Sequence, residues 1–211
     1  MSAQNKKSPP FKRVVVANRG EIALRIIRSI RTLGCESVLL CSDVDLQSTP
    51  ARMADYIYQL DGNSASESYC NIDKIIRAVK ESEADAIHPG YGFLSENPAL
   101  PEAISQRTKA TFIGSPSEAT KIMGDKIAAR SLVKSLGVPV IPGCDDSINS
   151  PLELQEFGNK YKFPLMLKSA GGGGGRGMKI VRSADECTQV FEACQREVST
   201  YFADKRMFCE K

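Results

Sequence analysis

The chain has no tryptophan and a single histidine, His88, among its 211 residues. Metal sites built on several histidines, and nucleophilic sites of the Ser/His or Cys/His type, therefore have almost no residues to use. Seven cysteines are present, but no pair is spaced Cys-x-x-Cys, and several stand in apolar runs, as Cys41 does after Leu40. We interpret them as reduced thiols packed as small apolar residues rather than as a disulfide or zinc framework.

Long apolar runs and a strong net charge are also lacking. No run approaches the roughly 18 apolar residues that a membrane-spanning helix needs. The net charge is +3, with Lys and Arg mixed among Asp and Glu, so no surface for nucleic acid is indicated. Residues 1–12 are polar and basic and are interpreted as a disordered tail. Because no acidic residue precedes Glu21, a mitochondrial location is the alternative to the expected cytoplasmic one.

What the sequence does contain is an alternation of short β-branched runs and helical stripes. Residues 13–17 are typical of a buried strand, the apolar spacing of residues 21–33 predicts a helix, and residues 37–41 predict the next strand. Such a strand–helix–strand unit predicts a parallel sheet with right-handed crossovers. The alternation continues to about residue 122, so the predicted fold class is α/β, with a doubly wound, Rossmann-like domain over residues 13–122.

A second unit is predicted over residues 123–211. Its helix caps are predicted at Asp125, Ser150 and Ser183. Its strands are predicted over residues 163–168, 178–181 and 207–209. The chain stops directly after an apolar run, so we expect truncation inside this unit.

Five consecutive glycines, residues 171–175, are the most informative feature. Each glycine costs about 1 kcal/mol relative to alanine inside a helix or strand. A series of backbone N–H groups without Cβ atoms can close on phosphate oxygens. A flexible linker is the alternative, but this run lies between two predicted strands rather than between domains. Lys168, just before the run, is placed to reach the same phosphates as a point charge.

The flanks of the run restrict the type of phosphate loop. A Walker A loop is excluded because Gly-Lys-Ser/Thr is missing. A dinucleotide loop would open a helix, whereas Met178 begins a predicted strand. A glycine-rich turn between two strands instead resembles a flap over nucleotide phosphates, as in kinases. The first strand–helix junction, Asn18-Arg19-Gly20, holds only one glycine, so nothing indicates a dinucleotide there.

Two more segments leave their roles open when judged from the residues alone. HPGYGFLSEN, residues 88–97, follows a predicted strand and is a turn for which loop structure and ligand contact are equally supported. Its histidine is interpreted as a hydrogen-bonded turn residue. MGDK, residues 123–126, opens a helix in which Lys126 would ordinarily lie on the surface. Arg25 and Arg28 lie off the apolar stripe of their helix and by default are solvated.

Four segments, in this order, resemble the motif set of biotin carboxylases. They are VVANRGEIA at 15–23, HPGYGFLSEN at 88–97, MGDK at 123–126 and KSAGGGGGRGM at 168–178. Such enzymes occur as separate subunits or as the first portion of acetyl-CoA, propionyl-CoA, methylcrotonyl-CoA, pyruvate and urea carboxylases. The likeness spans residues 13–211. It implies a pre-ATP-grasp, Rossmann-like domain over 13–122, followed by the first, incomplete part of an ATP-grasp domain over 123–211.

The resemblance also implies a reaction and site residues. ATP phosphorylates bicarbonate to carboxyphosphate, which delivers CO2 to biotin on a carrier domain. Lysines would bind the ATP phosphates, glycines would cover them, and the last two residues would meet the adenine. The implied ATP-binding residues are Lys126, Lys168, Gly173, Gly174, Gly175, Arg176, Gly177, Met178, Glu210 and Lys211. Those implied near biotin are Tyr91, Gly92 and Glu96, and those implied at a homodimer contact are Arg25 and Arg28.

Fixed cations and backbone donors suit phosphoryl transfer because they stabilise its concentrated negative charge. The resemblance implies Mg2+ as well, but with its carboxylate ligands and the remaining catalytic residues beyond residue 211. No catalytic or metal-binding residue is therefore assigned, and this chain alone is expected to be inactive. The implied partners are bicarbonate, ATP, a biotin carboxyl carrier domain and a carboxyltransferase.

Two alternatives remain open at this stage. One is another ATP-grasp ligase of the carbamoyl-phosphate synthetase type, which the motif at 88–97 disfavours. The other is a non-catalytic binding or dimerisation module derived from a biotin carboxylase. Departures from the family pattern, such as Tyr56 where an acidic residue is expected, allow for a diverged copy.

Overall fold

The computed structural model describes residues 9–170, 177–201 and 204–211, with only the backbone at position 201. The chain divides into two compact units, one ending at Lys121 and the other beginning at Ile122. The predicted loop residues Gly173, Gly174, Gly175 and Arg176 lie outside the described residues.

The first unit is built on a five-stranded parallel sheet. Its strands are β1 Arg13–Val16, β2 Glu36–Cys41, β3 Tyr56–Gln59, β4 Ala86–His88 and β5 Thr111–Phe112. They are arranged in the order β3-β2-β1-β4-β5. The helices in this part of the chain are α1 Gly20–Thr32, α2 Thr49–Met53, α3 Ile72–Glu81, α4 Ala99–Arg107 and α5 Ser117–Gly124.

Both faces of this sheet are covered by helices. Val15 of β1 belongs to one apolar cluster, which includes residues of α3 and α4. Val14 and Val16, which point the other way, belong to a second cluster with residues of α1 and α2. The predicted α/β, doubly wound class is therefore confirmed. Strand order reverses between β1 and β4, and in such sheets ligands bind beyond the carboxyl ends of the strands at this switch point.

The second unit contains a three-stranded antiparallel sheet with the order β7-β6-β8. Its strands are β6 Leu165–Ser169, β7 Met178–Val181 and β8 Met207–Glu210. Its helices are α6 Lys126–Ser135, α7 Pro151–Tyr161 and α8 Cys187–Tyr201. One face of the sheet packs in an apolar core with α7 and α8, through buried residues such as Leu165, Leu167 and Cys209.

Two of the three predicted helix caps in this unit are confirmed. The Asp125 side chain accepts hydrogen bonds at the start of α6, and Ser150 does so at the start of α7. The cap predicted at Ser183 is wrong. A short 3-10 turn, Ala184–Glu186, intervenes before α8, and the Ser183 side chain makes no capping bond. The Glu186 carboxylate instead accepts from the backbone N–H of Arg182 at 2.8 Å.

The last residues of the amino-terminal segment, Phe11 and Lys12, contact the first unit. Phe11 packs against the apolar cluster that contains Val14. The backbone N–H of Lys12 donates to the Asp85 carboxylate at 2.8 Å, and its carbonyl accepts from the N–H of Glu36 at 2.9 Å. Among the described residues, no helix is both long and apolar enough to cross a bilayer.

Candidate functional site

Asn18 links, through hydrogen bonds, the loops that follow β1 and β4 at the switch point of the first sheet. It follows β1, and only 3% of the residue is exposed. Its Nδ2 donates to the carbonyls of Pro89 and Tyr91, each at 2.7 Å, and its Oδ1 accepts from the backbone N–H of Arg19 at 2.9 Å. A buried amide with all these bonds satisfied fixes the turn after β4.

The same two loops enclose a cleft of about 320 Å³, which we call the switch-point cleft. Its lining residues are Asn18, Arg19, Glu21, Ile22, Tyr91, Gly92 and Phe93. It thus contains Tyr91 and Gly92, two of the three residues implied near biotin. Tyr91 is 59% exposed, and its hydroxyl bonds to the Glu21 carboxylate. The third residue, Glu96, is exposed and is not among the described residues that line this cleft.

The buried carboxylate of Asp45 supports two residues that line the cleft, Arg19 directly and Phe93 through Tyr69. The sequence motifs do not include Asp45. Asp45 is 7% exposed and accepts from Arg19 Nη2 at 2.6 Å, Ser42 Oγ at 2.7 Å and Tyr69 Oη at 2.8 Å. Burial alone would raise the pKa of Asp45, but these donors outweigh it and lower the pKa below its ordinary value of 3.8. The Tyr69 ring in turn stacks on Phe93, with centroids 5.0 Å apart.

His88 is the last residue of β4 rather than a turn residue, and its side chain makes a hydrogen bond to the turn that follows. Its Nδ1 accepts from the backbone N–H of Gly90 at 3.0 Å. Burial, and then the positive charge of Arg25, lower its pKa below 6.5. Arg25 and Arg28 themselves are exposed on α1.

The second unit presents a different surface, on the side of the β7-β6-β8 sheet away from its core. Cross-strand register pairs Met166 with Ile180 and Lys168 with Met178 and Phe208. We call this surface the outer face. Its six residues are Met166, Lys168, Met178, Ile180, Phe208 and Glu210. Met178 and Ile180 are each more than two-fifths exposed, at 43% and 44%. Phe208, by contrast, is buried. An apolar surface with a few polar groups can accept a flat aromatic ring.

The two charged residues of the outer face, Lys168 and Glu210, form a cluster of three charges with Arg130. Lys168 Nζ bonds to Glu210 Oε2, while Arg130 Nη1 lies 3.5 Å from Glu210 Oε1. Lys168 Nζ also lies 5.9 Å from the centre of the Phe208 ring. Lys168 and Glu210, both among the implied ATP-binding residues, are thus brought together although 42 residues separate them.

The described residues on either side of the glycine run are held by hydrogen bonds. Gly177, which follows the run and has φ 66°, accepts at its carbonyl from the N–H of Ser169 at 2.9 Å. Its own N–H donates to Glu197 Oε1 at 3.0 Å. The carbonyl of Ala170, the residue before the run, accepts from the N–H of Lys126 at 3.3 Å and from its Nζ at 3.4 Å. Lys126 therefore lies beside the residue that precedes the run.

Lys211 completes the set of implied residues that the structure describes. Its N–H donates to the Pro142 carbonyl at 2.8 Å, and its Nζ donates to the Lys162 carbonyl at 3.0 Å. Among the described residues, no group of three or more His, Cys, Asp or Glu side chains could hold a metal ion.

Comparison with protein families assigns both units. Residues 10–120 match the family described as "Biotin carboxylase, N-terminal domain". The chain belongs to this biotin carboxylase family. Residues 125–211 match "Carbamoyl-phosphate synthase L chain, ATP binding domain".

Individual relatives agree with that assignment. The biotin carboxylase of Halalkalibacterium halodurans is 41% identical over 201 residues, which are 95% of this chain and 44% of that protein. The solved biotin carboxylase-beta-gamma-ATP complex from Campylobacter jejuni has a TM-score of 0.91 at 38% identity, covering 95% of this chain and 45% of that one.

A second solved structure is the biotin carboxylase domain dimer of the Hydrogenobacter thermophilus 2-oxoglutarate carboxylase, in complex with MgADP, ADP and bicarbonate. Its TM-score is 0.90 at 35% identity, and the match covers 95% of this chain and 44% of that one. The chain thus spans less than half the length of these relatives.

Several residues with structural roles at these sites are not in the motif-based assignments. Asp45 and Arg130 are buried charges, and Glu197 accepts a hydrogen bond from Gly177. Met166, Ile180 and Phe208 lie on the outer face. These three carry a usable signal in the sequence, because a two-residue spacing on a strand from Lys168, Met178 and Glu210 respectively places the side chains on one face.

Proposed function

We propose that the chain is the ATP-binding N-terminal portion of a biotin carboxylase. Such an enzyme phosphorylates bicarbonate with ATP and transfers the carboxyl group from carboxyphosphate to biotin. The observation that carries the proposal is the Lys168–Glu210 pair on an otherwise apolar outer face. The apolar side chains suit an adenine ring, and Lys168 supplies a cation for phosphate oxygens.

The remaining implied ATP-binding residues fit this arrangement. Lys126 contacts Ala170, which precedes the glycine run, and Gly177 follows the run in the sequence, so we expect phosphates that bind at the run to meet both. Gly173, Gly174, Gly175 and Arg176 would cover them. Met178 lies on the outer face, and Glu210 with Lys211 would meet the adenine edge. Mg2+ bound with the nucleotide would neutralise part of the phosphate charge.

The switch-point cleft is proposed as the surface near biotin. Its volume falls at the lower end of the range for small-molecule sites, about 300–1,000 Å³. Tyr91 and Gly92 line it, and Glu96 follows on the same loop. Biotin would arrive on a carboxyl carrier domain, and a carboxyltransferase would use the product. The exposed Arg25 and Arg28 on α1 are proposed as homodimer contacts, and the location as cytoplasmic or mitochondrial.

The alternatives are less well supported. An ATP-grasp ligase of the carbamoyl-phosphate synthetase type agrees with the family match of residues 125–211, but not with that of residues 10–120. A non-catalytic module gives no reason for a paired lysine and glutamate on the outer face.

Calorimetric titration of the 211-residue chain with MgATP tests the proposal. We expect saturable binding at one site, and we expect Lys168→Met to weaken it by about tenfold or more, because a cation on phosphate oxygens is lost. Lys134→Met is the matched control. It removes an exposed lysine of α6 that pairs with Asp145 at 2.8 Å, and it should bind MgATP as the unaltered chain does. Absence of binding, or equal losses in the two variants, would contradict the proposal.

A further inference from the structure

Arg130 is a buried arginine that the motifs do not include. It lies one helical turn after Lys126 on α6, and only 8% of the residue is exposed. Burial of a guanidinium is costly unless its charge is paired, and a buried ion pair is weak evidence for a role in stability. The contacts that Arg130 makes therefore bear on function.

The guanidinium of Arg130 is held in place on several sides. Its Nη2 donates to the Ile141 carbonyl, its Nη1 faces Glu210 Oε1 at 3.5 Å, and its buried Nε has no partner among the described residues. Gly143 lies so close that a Cβ there would be 2.9 Å from Arg130 Cζ. This arginine has little freedom to turn.

The carboxylate of Glu210 is shared between two cations of unequal freedom. The side chain of Lys168 is 25% exposed and that of Arg130 is 8% exposed. Lysine is a point charge on a flexible stem, whereas the arginine fork is planar and is fixed here by the Ile141 carbonyl. Of the two, Lys168 is the cation that can turn toward an incoming anion.

We propose that Arg130 is a positioning residue for ATP: it stays paired with Glu210 and so releases Lys168 to the phosphates. The inference rests on the proposed binding of ATP at Lys168. Without Arg130, a phosphate would compete with a mostly buried carboxylate for the same lysine. With Arg130 in place, the Glu210 charge stays compensated after Lys168 has moved. Arg130 itself makes no contact with the nucleotide in this scheme.

The test compares ATP with adenosine, because only ATP requires Lys168 to leave Glu210. Calorimetry on the full chain gives the ratio of the adenosine Kd to the ATP Kd. In Arg130→Gln the charge is lost, but an amide can still donate to the Ile141 carbonyl. We expect the ratio to fall by about tenfold in this variant, which is the effect of losing one hydrogen bond to a charged group. Arg130→Lys, which restores the charge, should recover most of the ratio.

Two further variants separate this effect from a structural one. Lys134→Gln removes an exposed charge one turn further along α6 and should leave the ratio unchanged. Glu210→Gln removes the carboxylate that holds Lys168, so the ratio should rise above that of the unaltered chain. Adding Arg130→Gln to Glu210→Gln should then lower it no further. Circular dichroism and thermal unfolding check folding. If Arg130→Gln does not fold, Glu210→Gln still tests whether Glu210 restrains Lys168, which the inference requires, and a ratio that does not rise overturns it.

The outcomes distinguish the inference from the proposed function. An Arg130→Gln chain with an unchanged ratio, or a Glu210→Gln chain whose ratio does not rise, overturns the inference and leaves ATP binding intact. An unaltered chain that binds neither ATP nor adenosine contradicts the proposed function, and the inference falls with it.

Discussion

Replacing Asp45 with asparagine removes the charge behind the switch-point cleft while keeping the size of the side chain. In the native arrangement both carboxylate oxygens only accept hydrogen bonds, Oδ1 from Arg19 and Oδ2 from Ser42 and Tyr69. An amide has one acceptor oxygen and one NH2 group, so the donors on one side of this network must lose their acceptor whichever way the amide turns. The perturbation is thus confined to charge and to one acceptor position.

The expected loss of stability can be worked from these contacts. Hydrogen bonds to a charged group contribute about 1.5–3 kcal/mol and neutral ones about 0.5–1.5 kcal/mol, so the buried bonds from Ser42 and Tyr69 lose roughly 2 kcal/mol together. The Arg19 side chain is 50% exposed, and solvent screening reduces its share to about 0.5 kcal/mol. Asp45→Asn should therefore cost roughly 2–3 kcal/mol in the free energy of unfolding. For a chain of this size that is a fall in Tm of about 5–10 °C.

The pH dependence of the loss gives the sharper test. Because the folded pKa of Asp45 is lowered below 3.8, its contribution is fully present above 3.8 and is lost as the pH falls through the folded pKa. Urea unfolding of both proteins should show a constant difference from pH 7 to about pH 5, and a shrinking one below pH 3.8. A difference under about 0.5 kcal/mol at pH 7, or one that grows with acid, would refute the reasoning.

Two other predictions concern the cleft and the core of the second unit. Biotin added to the chain should give saturation-transfer NMR signals, and Tyr91→Ala should abolish them. The control is Tyr56→Ala, at an exposed tyrosine of the same unit, which should leave the signals unchanged. Equal signals in both variants would remove Tyr91 from the site. Gly158→Ala should lower the free energy of unfolding by about 1–3 kcal/mol, because overpacking strains a core, and the new Cβ would lie 2.1 Å from Phe163 Cζ. Gly124→Ala, with no atom within 4 Å of a Cβ, is its control in the same denaturant titration, and an unchanged midpoint for Gly158→Ala would show that this contact is wrong.

Local sequence patterns predicted most of the strands and helices, because in each of these segments the spacing of the apolar residues agrees with the secondary structure that forms. The run at residues 13–17 alternates between two helix-covered faces, and the stripe of α1 fills one of them, so strand and helix could both be predicted without tertiary information. The strand predicted from residue 163 begins at Leu165 instead, and Pro164, which has no N–H to donate to the ladder, precedes it. The cap at Ser183 was wrong because its Glu186 satisfies a different N–H, that of Arg182.

The pairing of distant side chains could not be obtained in the same way. Nothing in the sequence places β8 beside β6, and it is this antiparallel register that brings Glu210 to Lys168 across 42 positions. The motif resemblance named both residues as contacts of one nucleotide, but not as partners of each other. Their ion pair is a property of the sheet, and it means that phosphate binding at Lys168 must replace an existing contact.

Buried charges are the part of both sites that pattern rules miss most completely, because those rules assign charged residues to the solvent by default. That default fails at Asp45 and Arg130, because both charges are compensated by partners inside the fold. Asp45 pairs with Arg19, whose side chain is half exposed, and Arg130 shares the Glu210 carboxylate with Lys168, which is more exposed than Arg130. A buried ion pair is weak evidence for a role in stability. Both buried charges therefore direct attention to the more exposed cation of the same cluster, which is the group that a ligand would meet.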